Sequence, residues 1–294
     1  MNNKKGFSVT VEAIALALIV ILALPVRTLQ YYSVIEHGTG FYTQQTFTIT
    51  LLYILVAAAF VFYFVMGIIK AKKFELETEQ SKKLLPGIAA AVAGVGVMVS
   101  AYLEFAHKGD NTSAYIVTNT IPSNTFSILF IIKEAFALLA AVYFILLAIT
   151  FLMGNKPTDF KLLSLAPVFW LMVKLVSKFT ITISYIRVSD LLFEILMLSC
   201  YIIFYMTFAQ ANTKVNPEDG QWKLITFGFT GALLGFIVFV PRFILTITGH
   251  SDCFFILSRA DLADFGLAFF ALATVCTRLT PKKKNEAPSE TESK

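Results

Sequence analysis

Long runs of apolar residues, separated by short polar connections, repeat along the whole chain. A bilayer core is about 30 Å thick, and a helix needs roughly 20 mainly apolar residues to cross it. Eight such runs lie near residues 8–26, 47–69, 86–106, 124–152, 163–186, 189–210, 224–247 and 257–279. The pattern therefore predicts an all-α, polytopic integral membrane protein, a bundle of about eight transmembrane helices.

Lysine and arginine residues gather in alternate connections between these spans. If the N-terminus is cytoplasmic, the inner segments hold Lys4, Lys5, Lys70, Lys72, Lys73, Lys82, Lys83, Lys156, Lys161, Lys214, Lys223, Arg278 and Lys282–Lys284. The outer connections then hold only Arg27, Lys108 and Arg187. This asymmetry is the positive-inside pattern. We therefore expect both termini in the cytoplasm, as an even number of spans requires, and residence in the plasma (cytoplasmic) membrane.

The composition agrees with a chain whose main partner is the lipid bilayer. Of its 294 residues, 57% are hydrophobic and only 15% are charged, unlike the balance of a soluble domain. The net charge of +5 is spread over alternate connections, which argues against nucleic acid as a partner. Residues 281–294 are polar and poor in hydrophobic side chains, so they predict a disordered cytoplasmic tail after a transmembrane domain formed by residues 1–280.

Ionisable residues inside the apolar runs bear most directly on function. A charge at mid-bilayer depth costs about 2.5–3.5 kcal/mol on insertion scales, so it needs partners or water. Twelve such residues map to mid-depth or toward the outer leaflet: Glu104, Lys133, Glu134, Lys174, Lys178, Arg187, Asp190, Glu194, Arg242, Arg259, Asp261 and Asp264.

Half of these twelve fit ordinary structural roles. Four lie near the outer boundary, where side chains can snorkel to the headgroups: Glu104, Arg187, Arg242 and Arg259. Ser258 and Asp261 form a capping-box-like pattern with Asp in place of Glu or Gln. Ser189 and Asp190 likewise resemble a capped helix start, where the helix dipole favours a carboxylate.

The other six are the candidate substrate-binding residues or intramembrane charge network: Lys133, Glu134, Lys174, Lys178, Glu194 and Asp264. Spans four and five are joined by a short loop, which predicts that they are neighbours. At 1.5 Å per residue, Glu134 lies about 15 Å from the outer start of span four, and Lys174 about 16 Å from the inner start of span five. We therefore predict a Glu134–Lys174 ion pair near the midplane. Consecutive helix residues point about 100° apart, so Lys133 and Glu134 should not satisfy each other.

These charges favour a transporter or permease of a small polar or zwitterionic solute, with its site in the outer half of the bundle. The alternative is a non-transporting scaffold, assembly subunit or sensor whose intramembrane charges are structural salt bridges. A lipid-modifying enzyme is a third interpretation. No HExxH, GxSxG or phosphate-binding loop occurs, so we expect no catalytic residues and no cofactor. His37, His107 and His250 lack ligand spacing, and we expect no metal site.

Overall fold

Eight α-helices make up most of the described part of the computed structural model. They are α1 (Thr10–Ser33), α2 (Phe47–Ala71), α3 (Leu84–Ala106), α4 (Ser123–Met153), α5 (Ala166–Thr180), α6 (Val188–Thr213), α7 (Gln221–Ile247) and α8 (Leu262–Arg278). The structure describes residues 10–35, 42–43, 46–72, 74–76, 83–106, 123–154, 161–180, 188–213, 220–249 and 260–281. Six of these helices are long and apolar enough to cross a membrane, and α8 is shorter but apolar. The prediction of an all-α, multi-pass membrane protein is confirmed.

The helices run up and down around a closed ring. Contacts lead from α3 through α4, α5, α6, α7 and α8, and α8 packs back against α3. α1 and α2 pack against each other and against the flank of α7. α7 is therefore covered on most sides, and 83% of its membrane-spanning window is buried. We call the end of the bundle at which α1 begins the N-terminal end, and the end at which α1 stops the distal end.

Two short strands and a lysine tie the helices together at the N-terminal end. β1 (Phe74–Leu76) follows α2 and pairs antiparallel with β2 (Leu279–Pro281), which follows α8. The Lys83 ammonium, just before α3, donates a hydrogen bond of 2.9 Å to the backbone carbonyl of Thr277 near the end of α8. These contacts hold α2, α3 and α8 in register. Pro281, expected in the tail, is therefore part of β2, and residues 282–294 lie outside the described residues.

The first helix is longer than its apolar run predicted. α1 continues to Ser33 with Pro25 inside it, because transmembrane helices accommodate proline where neighbouring groups satisfy the freed carbonyl. Arg27, expected in an outer connection, is therefore within α1, and only 2% of its surface is exposed. Its guanidinium donates hydrogen bonds to Gln30 and to the Tyr42 hydroxyl, which allows the charge to stay inside the bundle.

The eighth helix is shorter than predicted, because α8 begins at Leu262 although its run begins at residue 257. The described part of α5 extends to Thr180, inside a run predicted to continue to residue 186. Residues 181–187 and 250–259 lie outside the described residues. The predicted run overextended α8 because a hydropathy average passes over the polar residues Ser258, Arg259 and Asp261 that precede its first turn.

α8 begins near the middle of the bundle's depth. A Cβ at Gly96 of α3 would lie only 2.7 Å from the backbone carbonyl of Leu262, so the absent side chain lets the start of α8 approach α3 closely. Gly96 lies 12 residues after the first residue of α3 and 10 before its last. At 1.5 Å per residue, the first turn of α8 is about 15–18 Å from either end of α3.

Aromatic side chains fill the ring on the N-terminal side of this helix start. Phe144 of α4, Tyr205 of α6 and Phe270 of α8 contact one another with ring centroids 5.5–5.9 Å apart. Each of the three is at most 1% exposed. We call these residues the aromatic layer. These packed rings lie between the start of α8 and the N-terminal end of the bundle.

Candidate functional site

Lys174 is the centre of a buried ion-pair group at the start of α8. Its ammonium lies 2.6 Å from Asp261 Oδ2 and 2.9 Å from Asp264 Oδ1. It also lies 5.3 Å from the centroid of the Trp170 ring, one turn earlier on α5. Asp261 additionally accepts a 2.9 Å hydrogen bond from the backbone N–H of Ala263, which caps α8. We call Lys174, Asp261 and Asp264 the Lys174 triad.

A second group is centred on Glu194 and lies closer to the distal end. Glu194 Oε2 is 2.7 Å from the Lys178 ammonium, and Oε1 is 2.6 Å from Arg242 Nη1. Arg242 Nε donates a 3.3 Å hydrogen bond to the Tyr31 hydroxyl. We call Lys178, Glu194 and Arg242 the Glu194 triad. It links α5, α6 and α7, and its contact with Tyr31 extends the link to α1.

The two triads lie one above the other along α5. Lys178 follows Lys174 by one helical turn, a rise of about 6 Å. The Tyr201 hydroxyl donates a 3.1 Å hydrogen bond to the backbone carbonyl of Asp264. Tyr201 is 13 residues after the first residue of α6 and 12 before its last. The Lys174 triad therefore lies at mid-depth, and the Glu194 triad lies between it and the distal end.

The formal charges of the two triads are opposite. The Lys174 triad combines one ammonium with two carboxylates, so its formal charge is 1 − 2 = −1. The Glu194 triad combines two cations with one carboxylate, so its formal charge is 2 − 1 = +1. Because all six side chains are at most 23% exposed, water screens these charges little. A carboxylate-rich region at mid-depth thus lies one helical turn from a cation-rich region on its distal side.

A third group joins α3 and α4. The Lys133 ammonium contacts the Glu104 carboxylate and lies 3.3 Å from Glu134 Oε1. It also lies 5.3 Å from the centroid of the Phe130 ring. We call Lys133, Glu104 and Glu134 the Lys133 triad. The side chain of Glu104 is 34% exposed, so this group is the least buried of the three.

The structure therefore distributes the six predicted site residues over three groups. Lys174 and Asp264 meet, Lys178 and Glu194 meet, and Lys133 meets Glu134. The predicted Glu134–Lys174 ion pair is wrong, because Lys174 reaches across the ring to the first turn of α8, while Glu134 remains on the α3 side of α4 beside Lys133. Lys133 and Glu134 approach to 3.3 Å, yet Glu134 Oε1 has no hydrogen-bond partner among the described residues and the close partner of Lys133 is Glu104 of α3. This agrees with the expectation that the two consecutive residues do not satisfy each other.

Three of the residues assigned ordinary roles are part of these groups. Arg242 was expected to snorkel, yet it is 3% exposed because Glu194 and Tyr31 bind it inside the bundle. Glu104 likewise pairs with Lys133. Asp261 caps α8 as its N-cap residue, not as the third residue of a capping box that begins at Ser258, and its other oxygen binds Lys174. The remaining three predictions, for Arg187, Arg259 and the Asp190 side chain, lie outside the described residues.

Two buried charges were not found from the sequence. Arg27 stacks its guanidinium against the rings of Tyr31, at 4.8 Å, and Phe193, at 5.0 Å from the centroid. Glu12 in the first turn of α1 is fully buried and pairs with Lys70 at 2.6 Å. The i, i+4 spacing of Arg27 and Tyr31 was the available signal for the first. Glu12 lies near the start of the first apolar run, and its position alone gave no signal for burial.

No group of three or more His, Cys, Asp or Glu residues with the geometry of a metal site is present among the residues that the structure describes. The geometry thus centres on ion pairs.

The chain matches no protein-family model, no curated protein and no solved structure. What the protein does is therefore inferred from the arrangement of its own residues.

Proposed function

We propose that this multi-pass membrane protein is a transporter or permease of a small polar or zwitterionic solute. The observation that carries the proposal is the stacking of two buried triads of opposite formal charge inside the helix ring. Transporter sites are commonly found near mid-depth, at the ends of helices that begin or stop within the membrane. The Lys174 triad has this position, because α8 begins beside it.

Each triad offers one charged end of a solute a complementary partner. A solute ammonium group would bind Asp261 and Asp264 of the Lys174 triad, whose two negative charges exceed the single positive charge of Lys174. A solute carboxylate would bind Lys178 and Arg242 of the Glu194 triad, whose two positive charges exceed the single negative charge of Glu194. Such binding brings each triad to neutrality, so both solute charges are paired in a low-dielectric interior.

The position of the aromatic layer bears on the end of the bundle from which a solute would reach the site. Tyr205 follows Tyr201 by one turn toward the N-terminal end, and Phe270 follows Asp264 by about 9 Å in the same direction. A solute at the Lys174 triad is therefore blocked from the N-terminal end by packed rings. On the positive-inside interpretation, that end is cytoplasmic and the site is reached from the outer leaflet of the plasma membrane.

Water accessibility at the triads tests the proposal. We would place one cysteine at Ser177, between the two lysines on α5, in a background in which Cys200, Cys253 and Cys276 are replaced by serine. The matched control is a cysteine at Val176, the preceding residue, on the face of α5 that points away from the bundle, where 52% of the residue is exposed. A charged, membrane-impermeant thiosulfonate should react at Ser177→Cys and leave Val176→Cys unmodified.

Uptake by proteoliposomes identifies the solute class. We would compare radiolabelled glycine and glycine betaine, which are zwitterions, with ethylamine and acetate, which carry one charge each. The zwitterions should accumulate and should slow modification of Ser177→Cys, whereas the single-charge compounds should do neither. Rapid modification without uptake of any of the four would refute transport of this solute class.

One observation favours the alternative of a membrane scaffold or sensor. Each carboxylate of the Lys174 triad and of the Glu194 triad already has a cation within 2.9 Å, as in a purely structural salt bridge. A dry ion-pair core predicts that Ser177→Cys is as unreactive as Val176→Cys, and that outcome would favour this role over transport.

A further inference from the structure

Aromatic side chains from α2 and α7 form an exposed surface where these two helices meet. Phe64 of α2 packs edge-on against Trp222 of α7, with ring centroids 5.6 Å apart. One turn nearer the distal end, Phe60 of α2 packs against Phe227 of α7, with centroids 6.2 Å apart. We call these four residues the aromatic seam. Phe60 and Phe64 are each 37% exposed, so in a membrane the seam contacts lipid acyl chains.

Two lysines lie where the aromatic seam reaches the N-terminal end of the bundle. The Lys223 ammonium lies over the Trp222 ring, 5.7 Å from its centroid. Lys72 directly follows α2. The backbones of α2 and α7 meet closely near this end, because a Cβ at Gly67 would lie 2.9 Å from the backbone carbonyl of Trp222. Lys72 is five residues after Gly67, a rise of about 8 Å along α2, so both lysines are beside the start of α7.

The charges of these two lysines are not neutralised within the described part of the protein. Lys72 and Lys223 are both exposed, and no carboxylate of the described residues pairs with either of them. The neighbouring Lys70 differs, because it pairs with Glu12 at 2.6 Å. The end of the aromatic seam therefore has two exposed ammonium groups next to an apolar surface, which complements a lipid with a negatively charged headgroup.

We propose that the N-terminal end of the aromatic seam binds an anionic phospholipid. The headgroup phosphate accepts hydrogen bonds from the Lys72 and Lys223 ammonium groups, and an acyl chain lies along Phe60 and Phe64. Trp222 lies between the lysines and the phenylalanines, at the level where tryptophan is common in membrane proteins, because its ring is apolar and its N–H is polar. The site does not rest on the proposed transport, since none of its residues belongs to the triads.

Quenching of Trp222 fluorescence by brominated phospholipids tests the site. The chain has 2 tryptophans, so a Trp170→Phe background leaves Trp222 as the reporter. The protein would be reconstituted in mixtures of phosphatidylglycerol, which is anionic, and phosphatidylcholine, which is zwitterionic, with one of the two brominated in its acyl chains. Bromine quenches indole fluorescence on contact, so the mixtures give the relative binding of the two lipids beside Trp222. We expect phosphatidylglycerol to bind at least about fivefold more strongly.

Variants of single lysines locate the headgroup. Lys72→Met and Lys223→Met should each lower the preference for phosphatidylglycerol about fivefold, since each removes one ammonium group near the membrane surface. Lys223 contacts the reporter ring, so Lys72→Met gives the independent measurement. The matched control is Lys161→Met, which removes an exposed lysine just before α5 at the same end of the bundle. It should leave the preference unchanged. Inorganic phosphate, which lacks acyl chains, should also leave it unchanged relative to chloride at equal ionic strength.

Three results would overturn the proposal. Equal binding of the two lipids by the parent protein would show that the seam does not select a charged headgroup. An equal loss of preference in Lys72→Met and Lys161→Met would show an effect of general surface charge. Displacement of phosphatidylglycerol by inorganic phosphate would assign the lysines to a free anion. None of these measurements depends on solute uptake, so the lipid site and the proposed transport are refuted separately.

Discussion

Replacement of Lys174 by methionine is the sharpest perturbation of the candidate site. Methionine keeps the unbranched shape of the side chain and removes the ammonium, so Asp261 and Asp264 lose the cation that lies within 2.9 Å of both. The two carboxylates are 18% and 6% exposed, and they then face each other in a buried environment. Removal of one partner from a buried ion pair costs about 3–5 kcal/mol. Because two carboxylates depend on this lysine, we expect a loss at the upper end of that range.

A triple variant separates the charge effect from the loss of packing. Lys174→Met combined with Asp261→Asn and Asp264→Asn removes all three charges and keeps the side-chain volumes. Asparagine is as good a helix cap as aspartate, so the bond to the Ala263 N–H should survive. Replacement of a buried ion pair by neutral groups is often neutral or stabilising. The triple variant should therefore recover most of the stability lost in the single variant.

The assay is unfolding in SDS of the protein solubilised in a mild detergent. Trp222 is the reporter, in a Trp170→Phe background, because Trp170 contacts Lys174 and would respond locally. Trp222 packs edge-on against Phe64, with centroids 5.6 Å apart, at the other end of the bundle. Lys161→Met, which removes an exposed lysine, is the control and should change stability little. A loss below about 1 kcal/mol for Lys174→Met, or a triple variant whose loss is the sum of the single losses, would refute a buried ion-pair group.

Two further predictions concern the groups around this triad. Glu194→Gln removes the carboxylate that Lys178 and Arg242 both contact and should cost about 3 kcal/mol in the same assay. Glu194→Asp should cost less. Equal losses in stability would argue that charge is not the cause. Gly235→Ala should cost about 1–3 kcal/mol through overpacking, since its Cβ would overlap the Tyr201 hydroxyl. The loss should fall when Tyr201→Phe removes that hydroxyl, and a loss unchanged by Tyr201→Phe would show that this contact is not its source.

The helical fold was readable from the sequence because a bilayer imposes its thickness on every span. Runs of apolar residues located all eight helices, since each must keep its backbone hydrogen bonds internal and its side chains apolar. Helix ends were less predictable. α8 starts at Leu262, well inside its predicted run, and this start depends on neighbours such as Gly96, whose missing side chain admits it. Such contacts join residues far apart in the chain.

The residues of the site were easier to predict than their partners. Lys174, Lys178, Glu194 and Asp264 were selected because charges in apolar runs are costly. Their pairing depends on the order of helices around the ring, which hydropathy does not encode. Chain order suggested that Lys174 would meet Glu134 on the preceding helix, whereas the closed ring brings α8 to it instead.

The excess charge in each triad is the strongest reason to look for a function beyond stability. Lys178 lies in the last turn of α5 and Asp264 in the first turn of α8, where helix dipoles favour these signs by about 0.3–1 kcal/mol each. A charge at mid-depth costs about 2.5–3.5 kcal/mol, so dipoles alone do not offset it, and ion pairs must contribute the rest. The signs do not balance within either triad, since the Lys174 triad combines two carboxylates with one cation and the Glu194 triad combines two cations with one carboxylate. The two triads together are neutral, so each also stabilises the other across one helical turn. A solute whose two ends carry opposite charges could replace that mutual attraction without adding a net charge to the site, which is why the proposed solute is a zwitterion.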